Sequence, residues 1–423
     1  MNHERIAQAI ANLDAWLETM RQPGGYGGPV AHWWQNRFQY TGPGLDWRYE
    51  GILVGYATLA KKAPEDERWH RRLAAAAKDL IDGQRPDGGY LASRFEINPG
   101  SHGTPHEAAA SLGLLVAAPF LDHQERALAT AKRNLDHLVE QLWDGNGFAD
   151  RPGGRERVPN KLATLGHAFI TAAKTFGESA FHDYARACFD DVLRLQVPHG
   201  PGEGAIHQYA PDGSRGDGRF FPYYNARCVP PLLAAAGALG ESRYRSAAES
   251  ILGFLDRTVD EDGSWPQIIY QGGRSAPWPR WVAGGADISL AYVASGSPVP
   301  SAALGRILGA QQPTGAFPTG VGFGARVTQR MTAGPADLRD WVPVVGWNDK
   351  VLRLLSRLLP TGSVLPVAQV NDLREQGQVH GRAAVFDESS TSVNVASDLP
   401  AASFTWTKSA PWAAACGGLV NVR

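Results

Sequence analysis

Residues 46–61, DWRYEGILVGYATLAK, are followed after a three-residue gap by EDERWHRRLAAAAKDLIDGQ at 65–84. The first stretch is apolar nearly all round, whereas the second has one charged face and one apolar face. Helices of the first kind are buried, and helices of the second kind lie at a surface. The two stretches therefore predict a hairpin made of one inner helix and one outer helix.

The same alternation recurs along most of the chain. The amphipathic, outer-type segments are 3–21, 65–84, 124–142, 179–196, 241–259 and 300–312. The apolar, inner-type segments are 46–61, 105–120, 159–175, 222–239, 279–295 and 342–359. A repeat of about 60 residues, in which each hairpin buries its face on its neighbours, predicts an all-α fold over residues 1–360. Two concentric rings of six helices describe an (α/α)6 toroid.

Two local patterns support the repeat. The inner segments begin near Asp46, Pro105, Pro159, Pro222, Pro279 and Pro343, and proline suits the first helical turn because its missing N–H would be unpaired there. Residues 84–90 and 311–317 share the spacing Q-x-x-x-G-x-aromatic just after outer segments. A glycine there permits the turn that ends a helix. We interpret this second pattern as architecture and not as chemistry.

The pattern changes after Pro360. Short stretches rich in β-forming residues suggest strands at Val364–Val370, Ala383–Phe386, Ser392–Val395 and Ser403–Trp406. Residues 361–423 are therefore predicted to form a small β-rich C-terminal segment.

Composition excludes several classes of function. The 423 residues include 41 basic and 42 acidic side chains, so the near-neutral chain offers no electrostatic reason to bind nucleic acid. No apolar run reaches the roughly 18 residues that a membrane span needs. Three cysteines without CxxC spacing indicate neither a disulfide framework nor a zinc site. No cofactor is predicted, and a divalent metal requirement and the oligomeric state are left open.

The first residues also bear on location. Ile6, Ile10, Leu13 and Leu17 fall on one helix face, and no basic segment precedes an apolar one as in a signal peptide. We therefore expect a cytoplasmic protein.

Polar and aromatic residues gather where the inner segments begin, although inner helices should be apolar. The candidate catalytic residues are Glu50, His106, Asn160, Tyr224, Arg227 and Asp287, and the candidate substrate-binding residues are Trp34, Asp46, Trp47, Arg48, Tyr49, Lys161, Tyr223, Trp281, Trp347 and Asn348. Converging helix N-termini favour an anion or an oxygen that gains charge during reaction. Aromatic faces suit stacking on sugar rings. Because Arg48, Lys161 and Arg227 could hold a carboxylate, an acidic sugar is the preferred substrate.

Several of these residues also have structural interpretations. Asp46 is a suitable N-cap. If Glu50, one turn later, lies close to Asp46, one carboxyl of the pair would have a raised pKa, as acid catalysis needs, but pairing of Glu50 with an arginine is equally consistent. Asp287 interrupts an apolar segment, where a carboxylate is costly unless it is paired or used.

Other polar residues are assigned to structure. Thr104 and Glu107 have the spacing of a capping box. Asp349 lies beside Lys350, which predicts a salt bridge, and His167, two turns into its segment, is interpreted as a core histidine.

At these residues the sequence resembles the six-hairpin toroids of carbohydrate-active enzymes, namely polysaccharide lyases and glycoside hydrolases, over residues 1–360. In such lyases an Asn, His or Arg neutralises a uronate carboxylate and a Tyr or His removes the C5 proton, roles that the resemblance gives to Asn160, His106, Arg227 and Tyr224. In such hydrolases two carboxylates face each other, and the resemblance suggests Asp46 or Glu50 opposite Asp287. An epimerase is a further possibility, because proton removal beside a carboxylate serves both reactions.

Two other functions are kept as alternatives. Terpene cyclases and prenyltransferases also use six-hairpin toroids, and their Q-x-x-x-G-x-W turns are similar to those at 84–90 and 311–317. The sequence lacks their D-x-D-D proton donor and D-x-C metal pair. A non-catalytic glycan-binding protein would need the aromatic residues but not the carboxylates.

Overall fold

The computed structural model describes residues 3–31, 38–41, 43–90, 103–323, 340 and 343–370, and the strand residues 378–379, 382–385 and 394–395. This part of the chain contains twelve α-helices. In chain order, α1 to α12 are His3–Thr19, Arg48–Lys62, Arg68–Gly83, Ala108–Ala117, Gln124–Leu142, Pro159–Phe176, Ala180–Arg194, Pro222–Leu239, Ser242–Thr258, Gly285–Ser295, Ser301–Gly309 and Val345–Leu358. Odd-numbered helices are outer and even-numbered helices are inner.

Burial and contacts establish the two rings. Helix α4 buries nine of its ten residues, whereas α3 buries five of its sixteen, as expected for an inner and an outer helix. Each inner helix packs against the next inner helix, and α12 packs against α2, so the inner ring closes on itself. The predicted (α/α)6 toroid is confirmed.

Glutamine side chains tie neighbouring outer helices together. The Gln84 amide donates to the carbonyl of Gly88 in its own turn and to the carbonyl of Thr130 in α5, both at 2.9 Å. Gln311 repeats this arrangement with Gly315 at 2.8 Å and with Ala9 of α1 at 2.9 Å, which joins the last hairpin to the first. These contacts agree with the architectural interpretation of the glutamine-containing turns.

Short antiparallel strands lie in the loops between the helices and in the segment after α12. In chain order, β1 to β12 are Arg21–Gln22, Gly25–Tyr26, Gly28–Ala31, Phe38–Thr41, Arg219–Phe220, Ile268–Tyr270, Ser275–Ala276, Arg280–Trp281, Gly320–Val321, Gln378–Val379, Arg382–Val385 and Asn394–Val395. They form the pairs β1–β2, β3–β4 and β8–β9 and the three-stranded sheets β5–β6–β7 and β10–β11–β12.

Four inner helices begin later than predicted. Helix α2 begins at Arg48, and α4 begins at Ala108 after a 3-10 turn over Pro105–Glu107. Helix α10 was expected from Pro279 but begins at Gly285, because Arg280 pairs with Val321 and Trp281 with Gly320 in an antiparallel hairpin. Helix α12 begins at Val345, because Pro343 forms a bridge with Pro318. At Pro159 and Pro222 the predicted proline is the first helical residue.

The C-terminal strands were partly predicted. Strands β11 and β12 overlap two of the expected stretches, whereas Val364–Val370 is not a strand. That stretch lies along α1, where the Gln8 amide donates to the Val367 carbonyl at 3.1 Å and the Gln369 N–H donates to Asn12 Oδ1 at 2.7 Å. Ser403–Trp406 lies outside the described residues. A domain boundary at residue 360 stays a prediction.

Helices α2 and α12 approach closely through glycine. A Cβ atom on Gly51 would meet the carboxylate and the backbone carbonyl of Asp349, and one on Gly55 would lie 2.7 Å from Leu352 Cγ. The backbone oxygen cannot move out of the way without displacing α12. Glycine at position 51 is therefore required for the packing of these two inner helices.

The close approach predicts opposite effects for two glycine substitutions. Gly51→Ala should lower the free energy of unfolding by about 1–3 kcal/mol, as overpacking of a core does. Gly237→Ala in α8 places its Cβ in open space and should be neutral or raise stability by up to about 1 kcal/mol. Urea unfolding of both variants measures the difference, and equal effects would contradict the assigned packing.

Candidate active site

Four charged side chains from four inner helices meet at the centre of the toroid. Arg227 of α8 donates to Glu50 Oε2 of α2 at 2.7 Å and to Asp287 Oδ2 of α10 at 3.0 Å. Arg353 of α12 donates to the other carboxylate oxygens, Glu50 Oε1 and Asp287 Oδ1. Each arginine thus bridges both carboxylates, and we call these four residues the charge ring.

The charge ring keeps its carboxylates ionised. Burial alone would raise the pKa of Glu50, but the charges of Arg227 and Arg353 lower it well below the ordinary value. The pKa of Asp287 is also lowered, because Arg353 and Arg227 outweigh burial. Of the two interpretations of Glu50, the structure shows the pairing with arginine, and a pKa raised by Asp46 is not found for Glu50.

His106 lies beside the charge ring at the start of α4. Its Nε2 is 3.5 Å from Arg227 Nη2, and Arg227 also donates to Thr164 Oγ1 of α6 at 3.3 Å. Burial, reinforced by Arg227, holds the pKa of His106 well below its ordinary value. At neutral pH this imidazole is therefore uncharged, so one of its ring nitrogens has a free lone pair.

His167 lies deeper, in the third turn of α6. Burial lowers its pKa to about 4, and the charges of Arg353 and Arg227 act in the same direction while Glu50 opposes them. The side chain is nevertheless partly exposed, so solvent reaches well below the helix starts. The sequence interpretation as a core histidine therefore fits only in part, because the residue keeps some exposure to solvent.

The first turn of α6 supplies two predicted site residues. Asn160 is 6% exposed and lies one turn before Thr164, so both share the face of α6 that is turned to Arg227. Its Oδ1 has no hydrogen-bond partner among the described residues. Lys161 forms an ion pair with Asp150 at 2.8 Å.

Four aromatic side chains form a continuous wall beside the charge ring. Ring centroids are 4.4 Å apart for Trp281 and Trp347, 4.9 Å for Tyr223 and Trp281, and 5.5 Å for Trp47 and Trp347. The Tyr223 hydroxyl donates to Asp287 Oδ2 at 3.1 Å, which fixes the wall to the charge ring. We call Trp47, Tyr223, Trp281 and Trp347 the aromatic wall.

The wall is partly open to solvent and has polar neighbours. Trp47 and Trp347 are partly exposed, and Tyr224 extends the aromatic surface with its centroid 5.2 Å from Tyr223. Trp47 stacks on His106 at 6.1 Å with an interplanar angle of 13°. The aromatic surface and the imidazole therefore lie next to each other.

The predicted Asp349–Lys350 salt bridge is confirmed. Lys350 Nζ lies 2.8 Å from Asp349 Oδ2 and 4.2 Å from the centre of the Trp47 ring. Burial raises the pKa of Asp349 to about 7 although Lys350 opposes the shift, and burial lowers the pKa of Lys350. Through the contact of Lys350 with the Trp47 ring, this ion pair packs against the aromatic wall.

Other predicted binding residues have structural partners. Asp46 forms an ion pair with Arg48 at 2.7 Å, and Arg48 also donates to the Tyr26 carbonyl. The Tyr49 hydroxyl donates to Asp79 of the outer helix α3 at 2.9 Å. These contacts favour a role in the β1–β2 loop and the α2–α3 interface.

Asn348 and Glu107 also have structural contacts. Asn348 exchanges hydrogen bonds with the backbone N–H and carbonyl of Phe317 at 2.8 and 2.9 Å. Glu107 accepts from the backbone of Gly103 at 2.8 Å and of Tyr90 at 3.0 Å, in keeping with its structural interpretation. Trp34 lies outside the described residues.

Sequence reasoning missed Arg353 and Thr164. Arg353 lies in the third turn of α12, away from the helix starts. It is three residues after Lys350 in a helix that is mostly buried, and a buried cation needs a carboxylate partner. That cost is the signal that could have identified it.

The lowered histidine pKa values predict acid-sensitive folding. Because the pKa of His167 is 6.5 unfolded and about 4 folded, the unfolded chain binds more protons between these values, and stability present above pH 6.5 is lost toward pH 4. The His167 contribution to that loss is about 3 kcal/mol. Urea unfolding at several pH values should show a shallower decline for His167→Gln, and an unchanged decline would contradict the assignment. His199→Gln, at an exposed position, is the control.

Two further properties concern only the described residues. No three His, Cys, Asp or Glu side chains come together there in a way that could hold a metal ion. None of the described helices combines the length and apolar character that crossing a membrane requires.

Comparison with known proteins gives structural similarity alone. No family model matches the chain, and no curated protein matches it in sequence. Solved structures with the same fold include a sugar epimerase from a ruminal bacterium, with a TM-score of 0.59, 14% identity and coverage of 84% of this chain and 99% of that one. A D-mannose isomerase has a TM-score of 0.62 and 12% identity, with coverage of 85% of this chain and 98% of that one. A family 76 glycoside hydrolase (mannosidase) from Bacteroides thetaiotaomicron has a TM-score of 0.56 and 12% identity, with coverage of 83% of this chain and 98% of that one. At these identities the comparisons establish the shared toroid.

Proposed function

We propose that the protein is a carbohydrate-modifying enzyme in which His106 removes a proton from a sugar carbon next to a carbonyl or carboxylate group. The observation that carries the proposal is the position of the His106 imidazole, 3.5 Å from Arg227 of the charge ring and stacked on Trp47 of the aromatic wall, where its lowered pKa leaves it unprotonated at neutral pH. A base must be unprotonated before it acts, and His106 meets that requirement at neutral pH. The epimerase and isomerase among the structural neighbours make this reaction type reasonable for the fold.

The proposed step moves one proton and one electron pair. The C–H bond breaks, His106 takes the proton, and the electron pair moves onto the neighbouring oxygen as an enolate. Arg227 Nη2, 3.5 Å from the imidazole, is a hydrogen-bond donor beside the developing oxyanion, and its own charge is balanced by Glu50 and Asp287. Return of the proton to the opposite face gives an epimer, return to the neighbouring carbon gives an isomer, and loss of a β-substituent gives an unsaturated product.

The remaining site residues receive supporting roles. The aromatic wall stacks on the sugar ring, and Tyr224 at its edge is the candidate proton donor on that side. Asn160 holds a polar substituent from the α6 side. The charge ring links four inner helices and so holds the side chains that they carry in fixed positions around the site.

Glycoside hydrolysis is the second candidate. The predicted carboxylates Glu50 and Asp287 do meet, through two shared arginines, and a mannosidase is among the structural neighbours. Hydrolysis needs one carboxyl that stays protonated near neutral pH, whereas the pKa of each of these two groups is lowered. The charge ring therefore favours proton abstraction over hydrolysis.

Deuterium exchange distinguishes the two candidates. The protein is incubated in D2O with aldoses, ketoses, uronic acids and uronate oligosaccharides, and NMR follows loss of carbon-bound protons, while ultraviolet absorbance detects unsaturated products. Incorporation of deuterium at a carbon next to a carbonyl or carboxylate is the expected result. Release of reducing sugar from neutral glycans without deuterium at carbon would overturn the proposal in favour of hydrolysis.

A further inference from the structure

We infer that the substrate is an uncharged sugar, from which the proton is removed at the carbon next to the carbonyl of its open-chain form. This inference rests on the proposed function and narrows its substrate class. The sequence alone favoured an acidic sugar, because basic residues gather at the helix starts. The structure shows what each of those basic residues contacts.

Every basic group named for the site forms an ion pair with a carboxylate. The pairs are Arg48 with Asp46, Lys161 with Asp150, Lys350 with Asp349, and Arg227 and Arg353 with Glu50 and Asp287. Five cations thus face five carboxylates within the described part of the site. A substrate carboxylate entering here would have to displace a protein carboxylate from its cation, and would leave that displaced group buried without a partner.

The helix starts on the aromatic side are covered by indole rings. A Cβ on Gly346, at the start of α12, would lie 2.6 Å from the Trp47 ring, and one on Gly284, before α10, would lie 2.8 Å from Trp281 Cδ2. Glycine thus allows both indoles to lie directly against the helix starts. Apolar rings there exclude an anion from the positive ends of two helix dipoles.

The remaining features suit an uncharged ring. The aromatic wall offers an apolar stacking face, and a pyranose has C–H groups on its faces and hydroxyl groups around its edge. In an uncharged aldose the acidic C–H is at C2, next to the C1 carbonyl. Removal of that proton by His106 places the electron pair on O1 as an enediolate. Return of the proton to the opposite face of C2 re-forms the C1 carbonyl and gives the epimer. Return to C1, with the O2 hydroxyl proton passing to O1, gives the ketose. The overall step is balanced without an oxidant or reductant.

Matched sugar pairs test the inference. Glucose, mannose and galactose are compared with glucuronic, mannuronic and galacturonic acid, which differ only at C6, by deuterium exchange in D2O at pH 7.5. We expect exchange at C2 of an uncharged sugar to exceed that of its acid at least tenfold in kcat/KM. Exchange confined to the acids would overturn the inference while leaving the proposed proton abstraction intact.

Absence of exchange with every sugar would count against the proposed function, and the inference is then tested by binding. Saturation-transfer NMR with the same pairs reports contact without turnover. Binding of the uncharged sugars in preference to their acids would support the inference, and the reverse preference would overturn it.

A charge-unpairing variant gives a test in the opposite direction. Asp150→Asn leaves Lys161 without its carboxylate on the helix start next to His106. We expect this variant to gain affinity for uronic acids by at least fivefold relative to the unmodified protein. Asp82→Asn, which unpairs Lys78 on the outer helix α3, should give no gain. Equal uronate affinity for the unmodified protein and for Asp150→Asn would overturn the role assigned to paired charges.

Discussion

Replacing Arg353 by alanine is expected to lower the free energy of unfolding by about 3–5 kcal/mol, as removal of one partner from a buried ion pair does. The substitution leaves Glu50 and Asp287 sharing the single charge of Arg227, so one buried carboxylate loses its compensation. Chemical unfolding at pH 7.5 measures the loss. The pKa values of both carboxyls should rise, because one of the two lowering charges is gone.

The matched control for Arg353→Ala lies on the same helix. Arg357 is exposed, and Arg357→Ala should change stability by no more than about 0.5 kcal/mol. Adding Glu50→Gln to Arg353→Ala restores the balance of one cation and one carboxylate, so the double variant should be more stable than the single one. Equal stability of the Arg353 and Arg357 variants, or additive losses in the double variant, would show that the charge ring is not a coupled unit.

The helical rings were predictable because their cause is local and repeated. Charged faces alternate with all-apolar segments at nearly constant spacing, and burial follows directly from that alternation. The bounds of α5 and α8 coincide with the predicted segments 124–142 and 222–239. Six hairpins with apolar inner helices can bury them against one another in a closed ring, which is the arrangement that the contact of α12 with α2 shows.

The start of α10 was not predictable for the opposite reason. Residues 279–284 carry a helix-like pattern, but Arg280 and Trp281 pair with Gly320 and Val321, about forty residues later in the chain. A local pattern contains no information about that partner. Likewise, Val364–Val370 has the composition of a strand, but its backbone contacts are with side chains of α1.

Part of the site was predictable from energetic cost. Glu50, Arg227 and Asp287 were selected because polar side chains in apolar helices need partners, and the structure brings all three into the charge ring. Their pKa directions were beyond sequence reasoning, because these depend on which charges lie opposite one another. Arg353 contacts Glu50 across a separation of 303 residues, and together with Arg227 it lowers the pKa of Glu50.

The same pairing changes the interpretation of the helix starts. The sequence predicts that the helix starts gather positive charge for an acidic ligand. In the described part of the site, however, each of the five basic side chains is paired with a protein carboxylate, so little net positive charge is left there. What remains distinctive is an imidazole without charge of its own, set between an aromatic wall and a fully ionised ring of charges. Such a site is better suited to moving a proton than to holding an anion.

Replacing His106 by alanine is therefore expected to lower kcat for deuterium exchange by about 10²–10⁴-fold, the usual contribution of a general base. KM should change much less, because the aromatic wall provides most of the contact surface. Exchange rates over a range of sugar concentrations, measured by NMR in D2O, separate the two parameters. Exogenous imidazole should restore part of the activity, since the deletion leaves space for it.

A second substitution separates the chemistry of His106 from its packing. In the unmodified protein the ring centroids of Trp47 and His106 are 6.1 Å apart. His106→Phe keeps a ring that can stack on Trp47 but has no proton acceptor. If His106 is the base, the phenylalanine variant should be as inactive as the alanine variant and should not respond to imidazole. Activity retained in His106→Phe would show that the ring only packs.

The pH dependence of the unmodified protein gives a further prediction. Protonation of His106 in acid removes the base, and because the pKa of His106 is lowered, kcat/KM should stay level from neutral pH down past 6.5 and fall only below it. A profile that instead falls with a midpoint at 6.5 or above would point to a different proton acceptor.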